Sequence, residues 1–285
     1  MLIDYSSVLY RAYFSLPESV AMRGVYGFLG MLVRILTDRR PDSLAIAVDD
    51  DWRPAFRVQA LPSYKAQRVS DQPDPVEAHE RVGREVLEAL GVCVVGAQGF
   101  EAEDVIATLA ARAAGPVEIL SGDRDLFALV KDPDVKVLYP RRGTSDLWEV
   151  DESEIARKYG IPGRCYLDYA LLRGDPSDNL PGVPGIGEKT AARLISEHGS
   201  LDRLLRSPDL SPPIRRKLEA AADYLVAARR AVPPVADVPL VGDLCLELPS
   251  HPPDRKRLER LAQEHGLGSA VERARQALEL SPQPS

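Results

Sequence analysis

The 285-residue sequence predicts an α/β fold with a mainly parallel central sheet flanked by helices. Over the first half of the chain, short apolar runs alternate with longer segments of helical periodicity, which is typical of β-α-β units. The runs are hydrophobic throughout and do not alternate with polar residues, as expected for strands covered on both faces. Beyond about residue 150 the strand-like runs fade, and helical segments joined by Pro and Gly follow.

Four strands are predicted, in order, at LI (2–3), LAIAV (44–48), VCVV (92–95) and VEIL (117–120). Helical periodicity covers the segments between them, at 24–38, 75–90 and 101–114, and a short helix DLFALV follows the last strand. Because each strand is followed by a helix that crosses back over the sheet, these strands are expected to run parallel.

The second half is predicted to be helical. Its helical segments are DESEIARKYG, RCYLDYALLRG, GEKTAARLISEHG and PPIRRKLEAAADYLVAARRA. The Pro-rich tail after Pro233 predicts a short strand near LCLEL, two further helical segments and a frayed SPQPS end. We therefore expect an α/β core at 1–160 and a helical region at 161–285, whose last helices pack on the core.

Composition narrows the class of protein. Hydrophobic residues are 45% and charged residues 28% of the chain, as in an ordinary globular protein. No apolar run approaches the ~20 residues that span a bilayer, and MLIDYSS does not predict a signal peptide. The three cysteines lie far apart and the four histidines have no ligand spacing, which predicts reduced thiols, no zinc site and a cytoplasmic location without membrane association.

Acidic residues follow the predicted strands. Asp4 comes directly after LI, Asp49 after LAIAV, and Asp123 with Asp125 after VEILSG. Open parallel sheets bind ligands beyond the carboxyl ends of their strands, so these acids are expected to meet at one edge. The helix that begins near Glu101 and the turn RGDPSDNLPG bring further acids to that edge. We name the complete set the acid edge: Asp4, Asp49, Glu101, Glu103, Asp104, Asp123, Asp125, Asp175 and Asp178.

Each group of acids has a simpler interpretation when it is taken alone. Acids near a helix N-terminus stabilise it by ~0.3–1 kcal/mol each, and aspartates favour turns. Nine converging carboxylates without cations would be costly, however. Hard divalent ions such as Mg²⁺ or Mn²⁺ take oxygen ligands and resolve that conflict. Leaving these nine acids out changes the formal net charge from −7 to +2, so the acidity of the chain is concentrated in this set.

Cations interleaved with aromatic residues follow Asp49. The segment DDDWRPAFRVQALPSYKAQR contains Arg53, Arg57, Lys65 and Arg68 among Trp52, Phe56 and Tyr64. Such a pattern suits phosphate binding and base stacking, although a solvated helix face is the commoner explanation of a charge run. Its position beside Asp49 favours the functional interpretation.

A glycine-rich segment, LPGVPGIGEKTAARLI (180–195), predicts a tight turn between two helices. It is not a Walker A motif, because Glu188 separates Gly187 from Lys189. It is not a Rossmann fingerprint either, because a third glycine and a preceding strand are missing. Glycines allow a phosphate to approach the backbone, and a helix N-terminus attracts anions. We name residues 180–187 the glycine turn and predict duplex binding there.

Taken together, the motifs LIDYSS, VYGFLGML, PSYKAQR, FEAEDVIATLA, SGDRDLFAL and GDPSDNLPGVPGIGEKTA resemble the 5′-nuclease and flap endonuclease family. The resemblance covers nearly the whole chain and includes the nuclease domain of bacterial DNA polymerase I. It implies a PIN-like fold with a helical arch at about 53–80 and a helix–three-turn–helix element at about 175–232. It also implies a bacterial, nucleoid-associated enzyme that acts as a monomer.

The resemblance assigns roles to individual residues. Asp4, Asp49, Glu101 and Glu103 would hold one metal ion with Asp104 behind them, and Asp123, Asp125 and Asp175 would hold the other with Asp178 in support. The implied cofactors are two, or at most three, Mg²⁺ or Mn²⁺ ions, and a K⁺ ion on the backbone carbonyls of the glycine turn. Lys65 and Arg57 would stabilise charge on the scissile phosphate. The implied DNA contacts are Tyr26, Tyr64, Arg68, Gly182, Gly185, Gly187, Lys189 and Thr190.

The implied reaction is two-metal hydrolysis of phosphodiesters in DNA with 5′ flaps, nicks, gaps or free 5′ ends, as a 5′-3′ exonuclease and flap endonuclease. A catalytically weak DNA-junction binder, or a nuclease for RNA primers in RNA–DNA hybrids, remains an alternative. Two residues depart from the pattern usual in bacterial members. Tyr5 replaces a glycine and would alter either access to the site or the packing beneath it, and Glu103 replaces an aspartate.

Overall fold

The computed structural model describes residues 1–70, 72, 74–142, 146–242 and 244–280. Within them the chain forms one sheet of six strands: β1 (Leu2–Asp4), β2 (Ala45–Ala47), β3 (Cys93–Val95), β4 (Val117–Leu120), β5 (Val135–Arg142) and β6 (Asp146–Val150). Their order is β3-β2-β1-β4-β5-β6. The frayed end predicted at SPQPS lies outside the described residues.

The sheet is parallel from β3 to β5. The central strand β1 pairs with both neighbours, so that Ile3 lies opposite Ile46 of β2 and Leu120 of β4. β6 runs antiparallel to β5 and closes one edge. The four predicted strands are confirmed. β5 and β6 were not predicted, because Pro140 and two arginines interrupt the first of them, and Pro in an apolar run argues against a strand.

Thirteen helices surround the sheet within the described residues. They are α1 (Tyr5–Ser15), α2 (Arg23–Arg39), α3 (Ala55–Ala60), α4 (Glu77–Leu90), α5 (Ala102–Arg112), α6 (Glu152–Tyr159), α7 (Tyr166–Arg173), α8 (Glu188–His198), α9 (Leu201–Arg206), α10 (Pro212–Ala220), α11 (Ala222–Ala231), α12 (Arg255–Glu264) and α13 (Gly268–Glu279). None of the described helices is long and apolar enough to cross a bilayer.

Most predicted helices are confirmed. The helix predicted at DLFALV is a short 3-10 helix, Asp125–Leu129, and two further predictions need correction. The helix predicted over PPIRRKLEAAADYLVAARRA is two helices, α10 and α11, because Ala221 between them leaves the helical conformation with φ −103° and ψ 13°. The strand predicted near LCLEL is wrong: within the described residues there, Glu247 makes only an isolated bridge to Ser43. The helix α1 was not predicted, since Asp4 ends β1 and caps the helix without an intervening loop.

Side chains of alternate strand residues enter two hydrophobic clusters, one on each face of the sheet. Leu2 and Ile119 join a cluster that continues through α5 and the helices α6 to α11. Ile3 and Leu120 join the other, which includes α1, α2, α4, α12 and α13. Burial on both faces explains why the strand sequences are uniformly apolar. One of these clusters contains residues from both sides of residue 160, so the domain boundary predicted there stays a prediction.

The position of Tyr5 shows whether this residue affects access to the site or the packing beneath it. Its side chain is buried, packs edge-on against Phe28 at 5.0 Å between ring centroids, and donates a hydrogen bond to the Glu80 carbonyl at 2.9 Å. A Cβ on Gly83 would lie 2.0 Å from the Tyr5 hydroxyl oxygen, so the glycine leaves space for the ring. Tyr5 therefore changes the packing beneath the acid edge and not the entrance to it.

Candidate active site

Asp4 lies at the centre of the carboxyl edge of the sheet. It is the last residue of β1 and the N-cap of α1, where its Oδ1 accepts the Ser7 N–H at 3.2 Å. Its Oδ2 accepts the Ser121 hydroxyl at 2.6 Å. An N-cap oxygen satisfies an N–H that has no partner inside the helix. Both oxygens of this buried carboxylate are therefore held by the segments that follow β1 and β4.

The N-terminus of α5 gathers the next acids. Asp49, two residues beyond β2, accepts the Ala102 N–H at 2.8 Å. Glu101 is the N-cap residue, and its own N–H donates to Asp104 Oδ2 at 3.2 Å. The capping interpretation of this stretch is thus correct. It is also compatible with metal binding, because capping fixes these carboxylates at the carboxyl end of the sheet.

Arg57 is a fully buried cation within this group of acids. Its Nη2 lies 2.5 Å from Asp104 Oδ1 and 2.7 Å from Glu103 Oε1. Its Nε lies 2.9 Å from Glu101 Oε2, an ion pair without the alignment of a hydrogen bond. Its Nη1 donates to the carbonyls of Ala231 and Val232 at the end of α11. A buried guanidinium needs such partners, and it joins α5 to the helical region.

Lys65 and Tyr64 close over the same acids. The Lys65 ammonium is bonded to Glu101 Oε1, and the Tyr64 hydroxyl donates to Glu101 Oε2 at 2.9 Å. Both side chains are buried, with exposed fractions of 6% and 1%. The Lys65 N–H donates to the Asp178 carbonyl at 3.0 Å. The segment that follows β2 is therefore joined to both α5 and the turn after α7.

The turn after α7 brings the last two acids to the edge. Asp178 is buried, and its Oδ1 accepts Arg68 Nη2 at 2.7 Å. Asp175 Oδ2 accepts Arg173 Nη2 at 3.1 Å, while its Oδ1 accepts the Ser177 N–H at 2.8 Å. The Asp turn predicted here is confirmed, and the helical region thus contributes acids to a site otherwise formed by the sheet.

Burial and crowding shift the pKa values of the sheet-end acids. Desolvation, followed by the negative charge of Asp49, raises the pKa of Asp4 to about 7. Desolvation and Asp178 raise the pKa of Asp123, and desolvation together with Asp123, Asp178 and Asp175 holds the pKa of Asp125 well above its ordinary value. Nearby positive charges would instead lower the pKa values of these acids. The carboxylates that follow β1, β2 and β4 and those of the turn after α7 are therefore close enough to repel one another.

The acids of α5 are partly neutralised. Burial raises the pKa of Glu101 to about 7 against the opposing charges of Lys65 and Arg57. Burial also holds the pKa of Glu103 well above its ordinary value, although Arg57 opposes it. Burial by itself would lower the pKa of Lys65, but the charges of Asp178, Glu101 and Glu103 outweigh it and raise that pKa. The ammonium therefore stays charged among these acids.

The donor set fits hard divalent cations. It consists of carboxylate oxygens, which Mg²⁺ and Mn²⁺ prefer, and burial together with the charges of neighbouring acids raises the pKa values of Asp4 and Asp125. Among the described residues no three acid, imidazole or thiol groups already converge at ligand spacing. Several of the oxygens instead bond to Arg57, Lys65, Arg68 and Ser121. Metal ions would therefore bind after side-chain rearrangement.

The residues predicted to contact DNA occupy different environments. Arg68 is half-exposed beside Asp178, as expected for a cation near the acids. Tyr64 is buried against Glu101, so the structure does not place it on a DNA-facing surface; its hydroxyl supports the acid instead. Tyr26 is only partly exposed, and the Arg273 guanidinium of α13 lies 5.4 Å from the centre of its ring. Its stacking on a base stays a prediction.

The glycine turn has a buried and an exposed part. Gly182 is buried with φ 68°, and a Cβ there would lie 2.5 Å from the Arg173 carbonyl oxygen, so this glycine serves backbone packing and not phosphate approach. Gly185 and Gly187 are exposed, and no atom lies within 4 Å of a Cβ on Gly187. Gly187 caps α8, whose first turn carries Lys189 and Thr190. This part remains open to a phosphate.

Three contributors to the site were not predicted from the sequence. Ser7 and Ser121 bond to Asp4, and Arg173 pairs with Asp175. Ser121 directly precedes the acidic motif GDRD. A hydroxyl next to clustered acids is a signal from which its role could have been predicted. Arg173 had no such signal, because an arginine at the end of a helix is equally explained by the helix dipole.

A mainly parallel sheet with carboxylates at one edge and cations beside them is the arrangement of a PIN-like fold. The solved structure of bacteriophage T5 D15 flap endonuclease in complex with DNA and metal ions supports this fold assignment. It is 16% identical and has a TM-score of 0.67, and the match covers 98% of each chain.

Sequence comparison identifies the family. The family model for the 5′-3′ exonuclease N-terminal, resolvase-like domain matches residues 1–160, and the model for the C-terminal SAM fold matches 161–256. A 5′-3′ exonuclease of Streptomyces coelicolor is 46% identical over 96% of this chain and 98% of its own length. DNA polymerase I of Mycobacterium bovis is 43% identical, and the match covers 93% of this chain but 29% of the polymerase.

The chain therefore belongs to the 5′-3′ exonuclease family. The fold class and the 5′-3′ exonuclease activity predicted from the sequence are confirmed by these comparisons.

Proposed function

We propose that this enzyme hydrolyses DNA phosphodiesters at 5′ flaps, nicks, gaps and 5′ ends with two Mg²⁺ or Mn²⁺ ions. The observation that carries the proposal is the group of acids around Asp4, whose pKa is raised by burial and by the charges of Asp49 and Asp123, with Lys65 bonded to Glu101 and Arg68 to Asp178. A divided site of this kind attracts a metal ion to its acidic part and a phosphate to its cationic part.

The acids divide by the elements that present them. Asp4, Asp49, Glu101 and Glu103 surround the N-terminus of α5 and would hold one ion, with Asp104 behind them, bonded to Arg57. Asp123, Asp125 and Asp175 would hold the other, with Asp178 in support, on the turns after β4 and α7. When bound, two such ions supply positive charge to the attacking and leaving oxygens of a phosphoryl displacement.

Lys65 is the cation that reaches the phosphate in this proposal. Its ammonium stays charged, because the neighbouring acids raise its pKa. Turning toward a phosphate would require it to give up its bond to Glu101. Tyr64 would then keep Glu101 in place through the hydrogen bond to its other oxygen. The ammonium would stabilise negative charge that develops on the phosphate oxygens.

Arg57 acts differently in the proposal. It was expected to assist at the phosphate, and that role stays a prediction that its burial disfavours. Its guanidinium bonds to Glu103, Asp104 and two backbone carbonyls, which leaves it little freedom to move. We therefore assign it a positioning role, in which it holds the α5 acids against the helical region.

The glycine turn is the proposed duplex-binding element. Exposed Gly185 and Gly187, with Lys189 at the start of α8, offer backbone N–H groups and a cation to a phosphate. A K⁺ ion on the turn carbonyls would add charge there, although Lys217 already donates to the Gly185 carbonyl at 2.8 Å. The proposal includes a monomeric enzyme in the bacterial cytoplasm, associated with the nucleoid that contains its substrate.

The test is a panel of 5′-labelled substrates with Mg²⁺, Mn²⁺ or EDTA. Flap, nicked, gapped and single-stranded DNA, and an RNA–DNA hybrid of the same sequence, are incubated with the enzyme and the product lengths are measured. We expect cleavage of the structured DNA substrates with either metal and none with EDTA. Cleavage that persists in EDTA would refute the mechanism. A hybrid that is cut faster than every DNA substrate would reassign the enzyme to RNA primers.

A further inference from the structure

Ser121 connects the two halves of the acid edge through one hydroxyl group. It directly follows β4 and is fully buried. Its Oγ donates to Asp4 Oδ2 at 2.6 Å and accepts the Asp123 N–H at 2.9 Å. Asp4 ends β1, whereas Asp123 belongs to the turn after β4. The hydroxyl therefore links a carboxylate of one strand end to the backbone of the other.

Ser7 forms a second link beside it. Its Oγ accepts the Gly122 N–H at 2.9 Å, and its own N–H donates to Asp4 Oδ1 at 3.2 Å. Consecutive backbone N–H groups, those of Gly122 and Asp123, are thus bound by two serine hydroxyls, while both oxygens of Asp4 are bound by the same two residues. We name Ser7 and Ser121 the serine pair.

We propose that Ser121 is a positioning residue that sets the spacing between the two metal ions, and that Ser7 supports it. This inference rests on the proposed function, in which Asp4 belongs to one ion and Asp123 to the other. The turn that carries Asp123 leaves the sheet after Ser121, whose N–H donates to the Leu138 carbonyl of β5 at 3.3 Å. Beyond Ser121, the serine pair replaces such pairing with bonds that lead directly to Asp4.

The chemistry of a hydroxyl suits both bonds. A hydroxyl has one hydrogen to donate and lone pairs to accept, so it can bind a carboxylate and a backbone N–H simultaneously. Replacing Ser121 with alanine removes both bonds. The buried N–H of Asp123 and the Oδ2 of Asp4 then lose the hydroxyl as a partner. Groups that orient metal ligands typically affect metal affinity by about 10- to 100-fold when they are removed.

Thr108 provides a matched control on α5. Its buried hydroxyl donates to the Val235 carbonyl at 3.2 Å and accepts the Val238 N–H at 3.1 Å. It therefore joins two chain segments by the same pair of bonds, but the hydroxyl itself bonds to no acid, and Asp104 keeps its bonds to Arg57 and to the Val235 N–H. Thr108→Val removes the hydroxyl at constant size and reports what the loss of such a link does when no carboxylate loses a partner.

The experiment is a calorimetric titration of Mn²⁺ into the wild type, Ser121→Ala, Ser7→Ala and Thr108→Val without DNA. We expect about 10- to 100-fold weaker binding for Ser121→Ala, a smaller loss for Ser7→Ala, and affinity within about twofold of the wild type for Thr108→Val. Kinetics on a flap substrate in saturating Mn²⁺ should show a lower kcat for Ser121→Ala with KM unchanged. Thermal melting of each variant reports its folding.

Wild-type Mn²⁺ affinity in Ser121→Ala would overturn the inference, as would equal losses in Ser121→Ala and Thr108→Val. If Ser121→Ala does not fold, the less deeply buried Ser7 carries the test, and an unchanged affinity in Ser7→Ala would overturn the inference. A wild-type protein that binds no Mn²⁺ would refute the proposed function itself. The two failures are therefore distinguishable.

Discussion

The acid edge and the glycine turn differ in how tightly their residues are held. Asp4, Glu101, Asp104 and Asp178 are buried at 7% exposure or less, and each bonds to neighbours from another part of the chain. In the glycine turn, Gly185 and Gly187 are exposed, as is Lys189 beyond it. One region depends on side chains fixed by their surroundings, whereas the other presents backbone and a single cation to the solvent.

This difference determines how substitutions should behave. Buried charges that share partners are coupled, so the loss of one changes the pKa and position of the others. Exposed groups that act separately contribute nearly additive amounts. We therefore expect large, cooperative effects at the acid edge and small, independent effects at the turn. The predictions below proceed from the largest expected effect to the smallest.

The largest effect is expected for Asp123→Asn. The change removes one charge from the second proposed metal site while keeping the size of the side chain. We expect cleavage to fall by about 1000-fold or more, because bound metal ions contribute several kcal/mol of transition-state stabilisation. Flap-cleavage rates in Mg²⁺ measure it, and gel-shift binding in EDTA should be unchanged. Asp146→Asn, at the exposed start of β6, is the matched control. A variant that cuts at the wild-type rate contradicts the metal assignment.

The next effect is expected for Lys65→Met. Loss of a cation at a developing negative charge should lower kcat by about 100-fold. It also leaves Glu101 with fewer partners, so the melting temperature in EDTA should fall, and Mg²⁺ should restore part of it. Lys131→Met is the control, because Lys131 pairs with Asp134 on the surface, where both side chains are more than half exposed. Equal kcat values for the two variants would remove Lys65 from the mechanism.

A smaller effect is expected for Lys189→Ala at the start of α8. Removing one phosphate-binding cation should weaken duplex binding by a few fold and reduce the slope of log K against log salt by about 1. The cleavage rate of bound substrate should not change. Fluorescence anisotropy across a salt series measures the slope, and exposed Lys256 on α12 provides the control Lys256→Ala. If single-turnover cleavage falls as strongly as in Lys65→Met, the contrast between the two regions fails.

The smallest effect concerns pH. In the folded protein the pKa of Asp4 is about 7, against an ordinary value of 3.8. The folded state therefore keeps a proton that the unfolded state releases, so this acid favours folding at low pH and loses that contribution as the pH rises through about 7. Metal-free protein should melt a few degrees lower at pH 8 than at pH 6 by differential scanning fluorimetry. Mg²⁺ should remove that difference, and a melting temperature that increases with pH would contradict the prediction.

Several parts of the fold and site could be predicted because they depend on local pattern. The strands β1 to β4 are short and uniformly apolar, so their burial is evident from composition. Asp4 ends β1, Asp49 and Asp123 lie within three residues of the ends of β2 and β4, and parallel pairing brings strand ends together by geometry alone. β5 lacked such a signal because of Pro140, and the position of β6 depends on its pairing with β5.

The environments of charged residues could not be predicted in this way. The pattern around Arg57 and Tyr64 is equally that of an exposed, phosphate-binding helix, yet both side chains are buried. Arg57 bonds to the carbonyl of Ala231, 174 residues further along the chain. A partner so distant leaves no periodic signal near either residue, so only the packing of α3 against α11 shows it.

By itself, the sequence determined the α/β class, the acids at the strand ends and the glycine turn, because each depends on residue type and local spacing. The tertiary structure decided which acids have partners and which repel one another: Arg57 and Lys65 neutralise the acids of α5, and the serine pair connects Asp4 to the turn of Asp123. The physical reason is that pKa values and hydrogen bonds depend on burial and distance, and those arise only when separate segments pack together.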